Sequence, residues 1–376
     1  MKNQVVNSYE PQQVQLWISS ASDKNTFCYD KTIEFLEMTI INPSKNIIIG
    51  FDYRVPVLTG LLSKDYLNEI KTSSTFSEVG FAKEYMSRFV GNSEESWFDY
   101  EKLAAHRKIV NPEVKEKVRT DIESFYILAV DIARKGCQSV CVVLKVFPHK
   151  DNAWKIRLVN LFILGKTKDE KDFDHQVLEL KRLIIAFNPK EVIIDINGIG
   201  FTFGDAMVKE TFDPINNLML PAYGFHNKYA ADFAQPKKCE KILYGIKANA
   251  QLNSNIHSTL YAKIYSGVID FLISEQDAKL KLLSTKAGQK LKPEAKIARL
   301  MPHELTSILI NEILNLRLKP TGVNNQVSVE QINKRIGKDK FSAFEYGVWR
   351  IDELEKEATS RRRNRGLGKR KLTFFN

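Results

Sequence analysis

Cysteine is scarce in this sequence, and long apolar runs are missing. The 376 residues include four cysteines, Cys28, Cys137, Cys141 and Cys239, and none of them has CxxC or CxxH spacing. This argues against a disulfide scaffold or a zinc module and fits a reducing cytosolic compartment. No run approaches the roughly 18 apolar residues that a membrane-spanning helix needs. The polar N-terminus does not resemble a secretory signal.

Apolar and charged residues, by contrast, are plentiful. Hydrophobic residues make up 43% of the chain, which excludes wholesale disorder. At about 100–200 residues per domain, the length leaves room for two or three domains. Lys and Arg number 56 against 45 Asp and Glu, and the net charge is +11. The sequence therefore predicts a basic, globular, intracellular protein.

Much of the excess charge lies at one end of the chain. Residues 361–371 (RRRNRGLGKRK) carry seven positive charges and no negative one. Such a tail binds DNA or RNA phosphates by counterion release, and a solvated terminus is the alternative. The predicted DNA-binding residues of the tail are Arg361, Arg362, Arg363, Arg365, Lys369, Arg370 and Lys371.

The first third of the chain has a mixed pattern. Strands are predicted over 14–20 and 46–52, and helices over 29–40 and 76–90. The charged stretch 105–120 loses apolar periodicity and predicts a linker. The predicted domains are therefore 1–104, the linker 105–120, a main domain 121–355 and a flexible tail 356–376.

The main domain has the pattern of a mixed sheet. Three apolar, β-branched runs predict consecutive antiparallel strands over 125–131, 139–147 and 154–164. They are followed by a helix over 173–187 and a buried strand of the parallel type over 191–196. A second helix is predicted from 200 onward, and a further strand over 218–223. Helices predominate from 239 to 349, with Lys-rich loops at 285–297 and 319–338. This order predicts an α/β fold of the ribonuclease H-like type.

Three carboxylates stand where such a fold places a site. Asp131 and Asp195 each end an apolar strand, and Asp339 opens a helix that continues through Trp349. Buried carboxylates that converge repel one another unless a cation joins them, and oxygen ligands favour Mg²⁺ or Mn²⁺. Each acid alone has a simpler explanation as a turn residue or a helix cap. Together they predict a catalytic metal site.

Other motifs are weaker. Asn197-Gly198-Ile199-Gly200 is no dinucleotide fingerprint, and the sequence contains no Walker A motif. The six histidines show no metal-ligand spacing. Asn197 and Lys247 are candidates for a phosphate site, although a solvated surface explains the lysine equally well.

At this point the chain resembles the large subunit of tailed-phage terminases. Residues 128–136 (LAVDIARKG), 192–200 (VIIDINGIG) and 339–347 (DKFSAFEYG) are similar to the family's three nuclease motifs, and 244–249 (YGIKAN) fits its spacing. Residues 18–22 (ISSAS) resemble the coupling motif of its ATPase domain. The likeness covers about residues 15–355. Two departures are the missing Walker motifs and Cys137-Gln138, where an acid often follows the first motif.

The resemblance implies a partial P-loop ATPase-type segment followed by a complete nuclease. Asp131, Asp195 and Asp339 would hold one or two Mg²⁺ or Mn²⁺ ions for hydrolysis of double-stranded DNA, cutting concatemeric genomes during packaging. Implied partners are the small terminase subunit, the portal protein and a separate chain with the ATPase motifs, in the host cytoplasm. Autonomous ATP hydrolysis is not expected.

Two alternatives remain open at this stage. One is a non-catalytic fragment that binds DNA and complements a motor ATPase. The other is a different ribonuclease H-like enzyme, such as a junction resolvase or integrase.

Overall fold

The computed structural model describes residues 15–22, 27–73, 78–89, 95–117, 122–133, 138–150, 152–165, 173–319 and 326–367. The chain divides into two compact units, Met1–Glu94 and Glu95–Asn376. None of the described helices combines the length and apolarity needed to cross a bilayer.

The first unit is helical where it is described. It contains α1 (Phe27–Ile41), α2 (Arg54–Leu58), α3 (Lys64–Thr72) and α4 (Glu78–Glu84). The helix predicted over 29–40 is therefore confirmed, and the one predicted over 76–90 is shorter in its described part.

The two strands predicted in the first unit do not form. Residues 15–20 and 46–52 have no regular structure. The side chains of Ile47, Ile49 and Phe51 are 76%, 74% and 62% exposed. A strand needs a neighbour for its backbone N–H and C=O groups, and in the described part of this unit none lies beside these segments.

The second unit is built on an eight-stranded sheet in the order β1-β10-β4-β3-β2-β5-β9-β8. The strands are β1 (Arg107–Ile109), β2 (Phe125–Asp131), β3 (Ser139–Phe147), β4 (Lys155–Leu164), β5 (Glu191–Asp195), β8 (Tyr223–Phe225), β9 (Glu240–Ile246) and β10 (Ile269–Leu272). β2, β3 and β4 pair antiparallel, and the other five pairings are parallel. Two hairpins stand apart, β6 (Thr211–Asp213) with β7 (Leu218–Leu220), and β11 (Leu316–Lys319) with β12 (Ser328–Gln331).

Helices cover both faces of this sheet, as its apolar strands require. The helices of this unit are α5 (Tyr100–Ala104), α6 (Phe173–Phe187), α7 (Ile199–Met207), α8 (Ala250–Tyr265), α9 (Glu275–Leu283), α10 (Lys286–Gln289), α11 (Pro293–Leu314) and α12 (Asp339–Leu367). One core joins Ile127, Ala129 and Ile193 to α8, α11 and α12, and the other joins Leu128, Val130 and Ile194 to α6 and α7. The fold is thus a helix–sheet–helix sandwich, and the predicted α/β, ribonuclease H-like class is confirmed.

Several local predictions need correction. Arg107–Ile109 forms a strand of the sheet, and the N–H of Glu116 donates to the carbonyl of Ala186, so the stretch 105–117 is part of the second unit rather than a linker. The strand predicted over 218–223 is two strands, because β7 pairs with β6 while β8 joins the main sheet. The region 239–349 also contains β9, β10, β11 and β12. The loop predicted over 285–297 contains α10 and the start of α11, and the loop over 319–338 includes β12.

Candidate metal-dependent active site

Two of the predicted acids end neighbouring parallel strands. β2 and β5 pair in a register that sets Val130 opposite Ile194, so Asp131 and Asp195 follow at the same edge of the sheet. Side chains alternate along a strand, and Ala129 and Ile193 face the core that contains α12. Asp131 and Asp195, two residues further on, therefore face α12 as well.

The third acid lies at the start of α12. The helix packs on β2 and β3 at Gly347, where an added Cβ would lie 2.8 Å from Leu144 Cδ1 and 3.0 Å from the Cβ of Ala129. A side chain at this position would press on Leu144 and Ala129, whereas glycine accommodates the close approach. It brings the helix that begins at Asp339 onto the sheet face to which Asp131 belongs.

A buried ion pair fixes the first turn of α12. Lys340 Nζ lies 3.2 Å from Glu312 Oε1, and Glu312 Oε2 accepts a hydrogen bond of 2.9 Å from the N–H of Phe341. Asp339 Oδ2 accepts a hydrogen bond of 3.0 Å from the N–H of Gln138, at the start of the β3 segment. The orientation of Asp339 is therefore set from two elements.

The charges of the other two acids act on Asp131. The pKa of Asp131 is raised to about 7, first by burial and then by the negative charges of Asp339 and Asp195. Burial also raises the pKa of Asp195, against hydrogen bonds from the N–H of Asn197 and the hydroxyl of Tyr346 at 2.9 and 3.3 Å. A cation would relieve this repulsion.

The donor set fits a hard divalent cation. Three carboxylates offer oxygen ligands of the type that Mg²⁺ and Mn²⁺ prefer. In the described residues, no group of three or more His, Cys, Asp or Glu side chains is already arranged to hold a metal ion. The acids therefore converge on one edge of the sheet but would need to draw together around an ion.

Sequence reasoning missed two side chains beside these acids. Tyr346 reaches Asp195, and Glu345 binds His257 Nδ1 at 2.7 Å. Glu345 stands inside the apolar run AFEYGVW, and an acid in such a run was a signal of a buried polar contact. His257 is 88 residues away along the chain and gave no signal.

The structure describes some of the predicted DNA-binding residues. Lys247 pairs with Asp232 at 2.8 Å, with its ammonium over the rings of Tyr229 and Phe201. Arg361 is 80% exposed on α12, 3.8 Å from Glu357. Arg362, Arg363 and Arg365 continue α12, while Lys369, Arg370 and Lys371 lie outside the described residues.

Comparison with known proteins finds similarity in solved structures. No protein-family model matches the sequence, and no curated protein matches it. The large terminase nuclease of thermophilic phage G20c with bound magnesium is 13% identical, with 68% of this chain and 97% of that chain covered and a TM-score of 0.40. The nuclease domain of the Thermus phage P74-26 large terminase is 16% identical, with 65% and 90% covered and a TM-score of 0.33.

The HK97 bacteriophage large terminase is also similar. It is 10% identical, with a TM-score of 0.36, and the match covers 84% of this chain and 60% of that one. Identities this low concern the fold. These three solved structures are a large terminase and two large terminase nucleases.

Proposed function

We propose that this chain is the nuclease of a tailed-phage large terminase and hydrolyses phosphodiester bonds of double-stranded DNA with Mg²⁺ or Mn²⁺. The observation that carries the proposal is the convergence of Asp131, Asp195 and Asp339, from three separate elements, in one field that raises the pKa of Asp131 to about 7. Acids arranged in this way lower the stability of the metal-free fold, and a bound cation turns the repulsion into attraction.

In the proposed mechanism, the three acids bind the metal, and hydrogen bonds from neighbouring groups orient two of them. Asp131, Asp195 and Asp339 would hold the divalent cation through their carboxylate oxygens. The divalent cation supplies a nucleophilic water at neutral pH and stabilises charge on the leaving oxygen. The N–H of Asn197 and the hydroxyl of Tyr346 hold Asp195, and the N–H of Gln138 holds Asp339. These contacts orient the carboxylates before substrate binds.

The biological context of the proposed reaction is genome packaging. The enzyme would cut concatemeric viral DNA in the host cytoplasm, with the small terminase subunit and the portal protein as partners. Lys247 and the basic residues from Arg361 to Lys371 would contact DNA backbone. The first unit would belong to the family's motor domain.

Cleavage of supercoiled plasmid with Mn²⁺ tests the proposal. We expect the parent chain to nick and linearise the plasmid, and Asp131→Ala to lose more activity than the roughly 100-fold that an outer-shell substitution costs. Asp205→Ala, which changes an acid in the last turn of α7, is the matched control and should cut like the parent. Equal cutting by Asp131→Ala and the parent would show that the site is elsewhere.

The choice of substrate separates the terminase proposal from a junction resolvase. We expect linear duplex to be cut as readily as a four-way junction. Strong preference for the junction would refute the packaging role while leaving the metal site intact.

A further inference from the structure

A cavity adjoins the three acids on the side of α8. Its volume is about 490 Å³, and it lies between the first turns of α8 and α12 and the β11–β12 hairpin. Tyr346 lines it and also donates to Asp195. The cavity and the acid site therefore share a wall.

A histidine is held in this wall in a fixed orientation. His257 Nδ1 lies 2.7 Å from Glu345 Oε2, and the side chain of Glu345 is 5% exposed. The ring of Phe341 stacks on the imidazole at 6.2 Å between centroids. An acceptor carboxylate keeps the proton on Nδ1, so Nε2 is the nitrogen left for a ligand in the cavity.

The remaining charge of the cavity is positive. Lys334 and Lys338 line it and are exposed. The charge of Lys338 opposes the rise in pKa of both Asp131 and Glu345, so its ammonium stands within electrostatic range of the acid site and of the histidine pair. Among the described lining residues, the two carboxylates already have partners, because Glu330 binds Arg317 at 2.9 Å and Glu345 binds His257.

We propose that this cavity binds a backbone phosphate next to the scissile phosphate, on the same DNA strand. When both ring nitrogens are protonated, His257 donates its Nε2–H to the phosphate as a positioning residue, and Lys338 pairs with the phosphate charge. The inference rests on the proposed function, since a strand that crosses the acids must continue past their wall. A DNA phosphate is the proposed ligand because the cavity combines lysine ammonium groups with a histidine, and it adjoins the proposed site of DNA cleavage.

The experiment measures DNA binding apart from cleavage. Fluorescence anisotropy of a labelled duplex in EDTA gives Kd over a series of salt concentrations, for the parent, His257→Gln and Lys338→Gln. We expect each variant to bind about tenfold more weakly, the effect of one lost charge-assisted hydrogen bond. The slope of log K against log salt should be shallower by about 0.9 in Lys338→Gln, since one phosphate contact is lost.

Matched control variants distinguish loss of the phosphate site from a general loss of positive charge or of stability. His175→Gln removes a histidine that pairs with Glu179 on α6, and Lys209→Gln removes an exposed lysine beyond α7. Both should bind like the parent. Lys338→Arg should retain binding, and thermal unfolding of each variant checks the fold; because Lys338 is exposed, its variant reports on the site even if His257→Gln is unstable.

Cleavage kinetics with Mn²⁺ then separate positioning from chemistry. We expect His257→Gln and Lys338→Gln to raise KM, with kcat within about a factor of two of the parent. Unchanged Kd, salt slope and KM in both variants, with a parent that cuts DNA, would overturn the phosphate site and leave the proposed function standing. A parent that does not cut, with weakened binding in both variants, would support the phosphate site and reject the nuclease.

Discussion

The two ends of β5 hold carboxylates in opposite situations. At its first residue, Glu191 accepts two hydrogen bonds, of 2.7 and 2.9 Å, from the guanidinium of Arg350, which stacks on the ring of Tyr244. At its last residue, Asp195 accepts from a backbone N–H and from Tyr346. In the described residues no Lys, Arg or His forms an ion pair with Asp131 or Asp195.

Under the proposed function, this difference separates a structural acid from a functional one. Both acids are on the face covered by α12, and the same helix supplies the partner of each. Arg350 compensates the charge of Glu191 and so makes its burial tolerable. Asp195 and Asp131 have no such cation among the described residues, and their charges destabilise the metal-free fold. A cost of that kind is expected where a cation is to bind.

The largest effect is expected at the structural end. Arg350→Ala leaves Glu191 buried without its cation, and we expect the free energy of unfolding to fall by about 3–5 kcal/mol. Denaturant unfolding in EDTA measures it, and Glu191→Gln added to Arg350→Ala should recover part of the loss. A loss below about 1 kcal/mol would mean that the pair contributes no more than an exposed one.

Removing the charge of Asp131 should raise the free energy of unfolding, the opposite of the effect expected for Arg350→Ala. The pKa of Asp131 is about 7 in the fold and ordinarily 3.8, so the folded state holds its proton more tightly. The destabilisation is complete above pH 7 and is relieved as the pH falls toward 4. Asp131→Asn should therefore raise the free energy of unfolding of the metal-free protein at pH 8, by up to about 4 kcal/mol.

Denaturant unfolding at pH 8 and pH 4 in EDTA checks this prediction. The advantage of Asp131→Asn should shrink on going to pH 4, where both proteins carry a neutral side chain at this position. If the variant is less stable than the parent at pH 8, Asp131 contributes to the fold and the contrast between the two ends of β5 does not hold.

The smallest effect on stability is expected for Tyr346→Phe. The hydroxyl donates a long bond of 3.3 Å to Asp195, so its loss should change the free energy of unfolding by only about 0.5–1.5 kcal/mol. Because the bond would orient a carboxylate of the proposed metal site, Mn²⁺ affinity in a calorimetric titration should fall about tenfold. Tyr244→Phe, on β9 opposite Ile193 and with its ring against Arg350, is the control and should leave the affinity unchanged.

The four central strands of the main sheet, β4, β3, β2 and β5, were predictable from the sequence. β2 and β3 have the predicted bounds, because each is an apolar, β-branched run that ends in charged or turn-forming residues. The same runs located Asp131 and Asp195, since an acid after a buried strand is conspicuous. The position of Asp339 at the start of a helix was also readable from the apolar run that follows it.

Other features depend on contacts that no local pattern encodes. β10 has four residues, one of them Asp270, and becomes a strand because β4 and β1 lie on either side of it. Arg350 and Glu191 are 159 residues apart, and His257 and Glu345 are 88 apart. Conversely, residues 46–52 have the composition of a strand, yet in the described part of the first unit no neighbouring strand completes them.

The close contact at Gly347 determines where the rigid helix α12 places its other side chains on the sheet. Asp339 and Arg350 are about 16 Å apart along this helix, at a rise of 1.5 Å per residue. The contact of Gly347 with Ala129 and Leu144 fixes the position of the helix on the sheet. The ion pair of Arg350 with Glu191 prevents the helix from sliding along its axis or rotating about it. A bulkier residue at position 347 would thus misplace Asp339 without touching it, so the accuracy of the acid site is set by packing more than one helical turn away.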